Sequence, residues 1–186
     1  MRVITGLYKG RRLSTVRNHS VRPAADRVKQ TIFDVLATRI DLEGSIVLDL
    51  FAGSGSLGIE ALSRAARRVD FVETIDEAAD CIEQNLIALG CKHSAQVYRM
   101  DARRFVHEAR DPYNLIFADP PYAYPHTAEL PELFFSRGLL FPQGYLLIEH
   151  SSDVVFHSSG GYTMGPEKKF GRTVVTFFSH IASNKS

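Results

Sequence analysis

Apolar residues along the chain fall into short runs near 46–51, 69–74, 96–100, 113–118 and 144–150, each bounded by glycine, proline or charged residues. Runs this short and rich in Val, Ile, Leu and Phe predict strands covered on both faces of a sheet. Between them, apolar positions recur every three or four residues over 56–66, 76–89, 101–109 and 126–136, which predicts helices. A further helix is expected after Arg22-Pro23, where Val28, Ile32, Val35, Leu36 and Ile40 share one face. The two ends of the chain break this alternation. Residues 3–8 and 11–16 flank Lys9-Gly10 and predict an N-terminal β-hairpin. Residues around 154–156 or Tyr162, and 173–178, are separated by turn formers and predict an antiparallel closing pair. The pattern as a whole predicts an α/β fold with a doubly wound, mostly parallel, seven-stranded sheet. It also predicts one domain over 1–186, with a hairpin extension at 1–20 and a core at 21–186.

Such sheets bind ligands across the carboxyl ends of their strands, so chemistry is sought there. The first signal is Ile46-Val47-Leu48-Asp49-Leu50-Phe51-Ala52-Gly53-Ser54-Gly55-Ser56-Leu57-Gly58, a strand that breaks into a glycine-rich turn and then a helix. Gly53 and Gly55 let a ligand approach bare backbone, and the helix that follows offers free N–H groups and a positive dipole end. Glu73 closes the next strand, where it can hold ribose hydroxyls. Gly53-x-Gly55-x-x-Gly58 with Glu73 also matches a dinucleotide fingerprint, which keeps an NAD oxidoreductase in view. Asp49 weighs against it, because a carboxylate there repels a pyrophosphate and favours the ammonium of a methionine group. S-adenosylmethionine is the expected cofactor.

The second signal is Asp119-Pro120-Pro121-Tyr122, directly after the apolar run at 113–118. Two prolines stiffen the exit from the strand and remove two donors, leaving carbonyls turned outward. An Asp carboxylate and the Pro120 carbonyl can take the two N–H bonds of an exocyclic amino group and so localise its lone pair towards an electrophile. Tyr122 offers a face for a planar base. The pattern points to methyl transfer onto the amino group of adenine, cytosine or guanine. A plain Pro-Pro turn closing a strand is the alternative for the tetrapeptide alone.

The 186 residues are 45% hydrophobic and 23% charged, enough for one globular core. The start has no apolar signal core and no apolar stretch reaches membrane length, so a cytoplasmic protein is expected. Cys81 and Cys91 lack metal or redox spacing and the histidines are scattered, so no metal site is expected. The net charge of +1 conceals an asymmetry: the first thirty residues carry Arg2, Lys9, Arg11, Arg12, Arg17, Arg22, Arg27 and Lys29 against Asp26 alone. Clustered bases of this kind suit nucleic-acid phosphates, or form a solvated face.

The segments Arg2-Val3-Ile4-x-Gly6-x-Tyr8-Lys9-Gly10-Arg11-Arg12-Leu13 and Arg22-Pro23-x-x-Asp26-Arg27-Val28-Lys29, with the Asp49 turn and Asp119-Pro120-Pro121-Tyr122, resemble one family. The chain is similar to class I S-adenosylmethionine-dependent methyltransferases of Rossmann-like fold, and more closely to the RsmD family of 16S rRNA guanine-N2 methyltransferases. This resemblance implies that Asp49, Phe51, Gly53 and Gly55 surround the methionine end of the cofactor, that Glu73 holds the ribose, and that Asp101 with the Ala102 backbone meets the adenine edge. It implies Asp119, Pro120 and Tyr122 as the catalytic group. Lys9, Arg11, Arg12, Arg22 and Arg27 are expected nucleic-acid contacts, although Arg22 and Arg27 could equally meet cofactor or nearby acids. The expected partner is 16S rRNA or a small-subunit particle, met by a monomer without metal or membrane. Other readings stay open: methylation of DNA adenine or protein glutamine, or a non-enzymatic RNA-binding assembly factor.

Overall fold

The computed structural model describes residues 1–16, 23–157 and 159–181. Its centre is a seven-stranded sheet built from β1 (Ile46–Leu50), β2 (Arg68–Glu73), β3 (Ala95–Arg99), β4 (Tyr113–Ala118), β5 (Leu140–Ser151), β6 (Thr163–Phe170) and β7 (Thr173–Ser179). The spatial order is β3-β2-β1-β4-β5-β7-β6. The first five strands run parallel, while β7 is antiparallel to both β5 and β6. Helices α1 (Pro23–Leu36), α2 (Ser56–Ser63) and α3 (Asp76–Leu89) cover one face, and α4 (Ala102–Glu108) with α5 (Leu130–Ser136) covers the other.

Alternation along the strands divides the core between these layers. Val47, Leu115, Phe117, Leu147, Val175 and Phe177 turn towards α1, α2 and α3, whereas Leu48, Leu50, Ile116, Ile148 and Phe178 turn towards α4 and α5. Fully buried rings such as Phe33, Phe71, Phe117 and Phe134 each contribute on the order of 2–3 kcal/mol. Gly58 sets how closely α2 lies on β2: a Cβ there would stand 2.4 Å from the Phe71 ring. Among the described residues no helix is long and apolar enough to cross a membrane, and both cysteines are buried free thiols.

The closing pair differs from expectation in its first member. That strand is Thr163–Phe170, beyond the expected position, with a register irregularity between Met164 and Glu167. It is an edge strand wetted along much of its length, so its sequence lacks apolar alternation. Pro166, which cannot donate to a ladder, sits at that irregularity.

The expected N-terminal hairpin is also corrected. Residues 3–8 and 11–16 form no strands; one antiparallel bridge, Arg2 to Arg12, joins them, and residues 5–10 are bends and turns. The cause lies in where the backbone donors go. The N–H groups of Ile4 and Thr5 bond to the two carboxylate oxygens of Glu60 at 2.8 and 3.0 Å, while those of Leu7 and Tyr8 bond to the Ser63 carbonyl and hydroxyl. The arm is thus fastened to α2 along residues 4–8, while the N–H groups of Val3, Gly10 and Leu13 still bond across the arm and those of Lys9 and Arg11 close its turn. Arg22, an expected nucleic-acid contact, lies outside the described residues, as do residues 17–20 of the expected extension.

Glu60 is fully buried and takes up further charge. The Arg64 Nε atom lies 3.2 Å away and the Lys29 Nζ atom 3.7 Å away. Lys29 also donates to the Arg2 carbonyl and the Ser56 hydroxyl, and burial pushes its pKa down. Glu60→Ala is expected to lower the unfolding free energy by about 3–5 kcal/mol, because buried Lys29 and partly buried Arg64 lose their counter-charge. Urea denaturation measures the loss, and limited proteolysis should show new cleavage within residues 4–10; an unchanged midpoint would contradict this role.

Candidate active site

The strand that ends in Leu50 passes into a turn shaped by unusual dihedrals. Phe51 has φ 62° and Gly53 φ 56°, values natural for glycine and strained for phenylalanine. Neighbouring strands hold the turn in place. The Ala52 N–H bonds to the Val72 carbonyl at 3.0 Å, and the Gly53 N–H bonds to Glu73 Oε2 at 2.8 Å. The other Glu73 oxygen accepts the N–H groups of Thr74 and Ile75. Glu73 is therefore buried and organises the turn, with lone pairs to spare for a ligand.

Asp49 fills a gap left by glycine. Gly55 at the N-cap of α2 has no side chain to satisfy the first turn, and Asp49 reaches across from β1 to accept the Gly58 N–H at 2.8 Å. Asp49 is 2% exposed. Burial raises its pKa to about 7, the Gly58 bond pulls it down and the charge of Glu73 pushes it up again.

At the end of β4, the Asp119 N–H still reaches the Leu50 carbonyl at 3.3 Å, so the catalytic candidate stands beside the exit of β1. The Pro120 carbonyl accepts no hydrogen bond among the described residues. The Pro121 carbonyl is not free: it accepts the Tyr124 N–H at 2.7 Å and closes the loop into a turn. Tyr122 is 58% exposed and its hydroxyl bonds to the Thr173 hydroxyl at the start of β7, which leaves a ring face open. Desolvation by the surrounding protein raises the Asp119 pKa well above the usual carboxylate range, and the charges of Glu149 and Asp49 add to it. Asp119 nevertheless reaches solvent, and water screens part of that push.

Asp101 is the N-cap of α4, and its Oδ1 accepts the Arg104 N–H at 3.0 Å. The Met100 N–H bonds to the Glu73 carbonyl, so Asp101 and Ala102 adjoin Glu73 at the same rim. The structure therefore brings Asp49, Phe51, Gly53, Gly55, Glu73, Asp101, Ala102, Asp119, Pro120 and Tyr122 to one edge of the sheet. Arg27, exposed near the start of α1, lies towards this edge as well, since α1 runs down to the amino end of β1.

Lys9, Arg11 and Arg12 lie on the arm that runs along α2. Leu7 is bonded to Ser63 at the last turn of α2, and Arg11 Nη2 donates to the Ala88 carbonyl at the last turn of α3. The arm then returns towards the start of α2: Arg2, which bridges to Arg12, has its carbonyl bonded to the Lys29 Nζ atom that also bonds the Ser56 hydroxyl, and Lys9 lines a cleft with Asp26 and Gln30 of α1. A cavity of about 530 Å³ lined by Ile46, Asp70, Tyr98, Phe105, Tyr113 and Phe141 lies on the α4 face of the sheet and takes no part in the site.

Three residues escaped the reading of the sequence. Tyr124 packs edge-on against Phe51 at 5.0 Å, joining the glycine turn to the proline loop, and its buried hydroxyl has no partner among the described residues. Thr173 anchors Tyr122. Glu149 closes the apolar run of β5 as Asp49 nearly closes that of β1, and this signal was available in the sequence.

The family described as "Conserved hypothetical protein 95" matches residues 1–179. The chain belongs to this family, the RsmD family. It is 34% identical over 187 residues to "Ribosomal RNA small subunit methyltransferase D" of Escherichia coli K12, covering 100% of this chain and 93% of the relative. The protein of the same name from Haemophilus influenzae is 33% identical over 174 residues, covering 92% and 89%. A solved structure, a hypothetical protein of Thermus thermophilus, superposes with a TM-score of 0.82 at 26% identity, covering 97% of this chain and 99% of that one.

An adenosine cofactor fits the RsmD-family rim on three observations: bare backbone at Gly53, acceptor oxygens on Glu73 and Asp101, and the orphaned Tyr124 hydroxyl. Among the described residues no group of His, Cys, Asp and Glu is arranged to hold a metal ion.

The raised pKa of Asp49 has a direct consequence for stability. The native state holds this proton more tightly than the unfolded chain, where an aspartate titrates at about 4. The stability it contributes is complete below about pH 4 and is lost as pH rises through about 7. Asp49→Asn keeps an acceptor for Gly58 and removes the titration. In urea denaturation of the cofactor-free protein at about pH 5 and about pH 8, the variant should lose less stability between the two than the wild type; an equal loss would contradict the assignment.

Proposed function

We propose that this protein transfers a methyl group from S-adenosylmethionine to the N2 amino group of a guanine in the 16S rRNA of the small ribosomal subunit. The observation that carries this is the convergence of Asp119-Pro120-Pro121-Tyr122 with Asp49 and the strained Phe51–Gly53 turn at one sheet edge, joined by the Phe51–Tyr124 contact. Relatives of similar length named as ribosomal RNA small subunit methyltransferases support the substrate. The bound cofactor supplies an electrophilic methyl group on a sulfonium.

The chain's own residues do the rest by positioning and by charge. Asp49, with no cation paired to it among the described residues, favours the cofactor's ammonium group. Glu73 takes the ribose hydroxyls with its remaining lone pairs. Asp101 and the Ala102 N–H, an unpaired donor in the first turn of α4, present an acceptor and a donor to the adenine edge. Tyr122 stacks on the extruded base. Asp119 and the Pro120 carbonyl accept the two amino hydrogens, so that positive charge developing on nitrogen meets a carboxylate and a dipole. The proton then leaves to Asp119 or to water. Flipping the base costs a few kcal/mol from a paired helix and less from a loop, which favours a loop or a partly assembled particle as substrate.

Arg27 and the arm's Lys9, Arg11 and Arg12 supply positive charge for RNA phosphates, and Arg22 is a further proposed contact. Replacing Arg11 and Arg12 with Ala is expected to reduce the slope of log affinity against log salt by roughly two units and leave cofactor affinity unchanged. An unchanged slope would return this turn to a solvated face.

Incubation with methyl-labelled S-adenosylmethionine and separate DNA, RNA, small-subunit and protein fractions, followed by nucleoside analysis, tests the proposal directly. Label in N2-methylguanosine of the small subunit is expected; label only in DNA adenine or protein glutamine would overturn it. Asp119→Ala should lose most of the transfer, by about a hundredfold or more, with cofactor affinity nearly intact. Tyr122→Phe should keep much of the rate while Tyr122→Ala loses it. A folded Asp119→Ala variant that methylates at the wild-type rate would refute the catalytic role.

A further inference from the structure

The parallel register pairs Ala118 of β4 with Ile148 of β5, so Asp119 and Glu149 come next, side by side on adjacent strands. Phe117 and Leu147 turn towards α1–α3, and strict alternation sends Asp119 and Glu149 to that same face. Asp119 keeps the ladder through its bond to Leu50, and Glu149 remains paired with Val175 of β7. Both carboxylates therefore project from a firm backbone. Among the described residues neither forms an ion pair or accepts a side-chain hydrogen bond.

Two adjacent acceptors without donors define what complements them. The Watson–Crick edge of guanine carries N–H groups on two neighbouring atoms, ring N1 and exocyclic N2. Adenine and cytosine instead place a bare acceptor nitrogen beside the amino group, which an ionised carboxylate repels. Resting on the base-methylation reading above, we propose that Glu149 is the residue that selects guanine, accepting the N1–H while Asp119 accepts from the N2 amino group. Burial of half-buried Glu149 raises its pKa, and Asp119 is raised in part by the charge of Glu149. A base edge that brings one donor to each carboxylate relieves this crowding, whereas a single amino group leaves one of them unsatisfied. Glu149 does not touch the transferred methyl group, and its effect is on which base is held.

The test compares guanosine with 2-aminopurine riboside at the nucleotide that the wild type methylates, mapped beforehand. 2-Aminopurine keeps the 2-amino group and presents a bare N1 acceptor. The wild type is expected to favour guanine in kcat/KM by about ten- to a hundredfold, the worth of one hydrogen bond to a charged group. Glu149→Gln can turn its amide to accept from or donate to N1, so the preference should fall to within about threefold with cofactor affinity unchanged. Glu149→Ala should lower the guanine rate and leave the 2-aminopurine rate nearly as it was. A merely structural role would depress both substrates together, and a guanine preference retained in Glu149→Gln would overturn the inference. Failure of the wild type to methylate RNA at all would instead defeat the substrate reading, and this assignment with it.

Discussion

The bond from Asp49 to the Gly58 N–H is the constraint on which the site depends. A helix that begins on glycine cannot cap itself, and a glycine is required where the turn must approach a ligand closely. Taking the acceptor from a neighbouring strand reconciles the two demands, since the turn stays bare while the helix start is still satisfied. The cost is a carboxylate held away from water with no cation beside it. That uncompensated charge is what makes the position suited to a cationic ligand group, so the local solution to a capping problem also creates an electrostatic preference.

Two aromatic contacts then couple parts of the chain that are remote in sequence. Phe51, held at positive φ, rests against Tyr124 of the proline loop, and Tyr122 of that loop is tied through its hydroxyl to Thr173. The turn after β1, the loop after β4 and the start of β7 therefore move as one rim. The candidate site residues hang from the carboxyl ends of paired strands, which holds them in place without a dedicated domain.

The parallel core was legible because strands covered on both faces appear as uninterrupted apolar runs, and an acid or glycine at the end of such a run stands out. Asp49, Glu73 and Asp119 were visible for that reason. Glu149 carries the same signal and was passed over because no glycine or proline follows to mark a turn. Strand β6 is located only loosely, by Tyr162 just before its start at Thr163, because an edge strand has no apolar face to declare. The arm departs from a regular hairpin for a different cause: the N–H groups of Ile4, Thr5, Leu7 and Tyr8 are satisfied by Glu60 and Ser63, and no local pattern reveals a partner more than fifty residues away. Its positive charge is evident from composition, whereas its course along α2 depends on those remote partners.

The fastening of the arm to Glu60 also bears on the order in which the protein can be built. Residues 2–12 leave the ribosome well before the groups that hold them, Glu60 and Ser63, which emerge some fifty-five residues later. Central strand β1 waits longer still, since Val47 pairs with Leu115. The most basic segment consequently stays unplaced beside the ribosome that makes it until the helix that follows the glycine-rich turn closes over the ion pairs of Glu60.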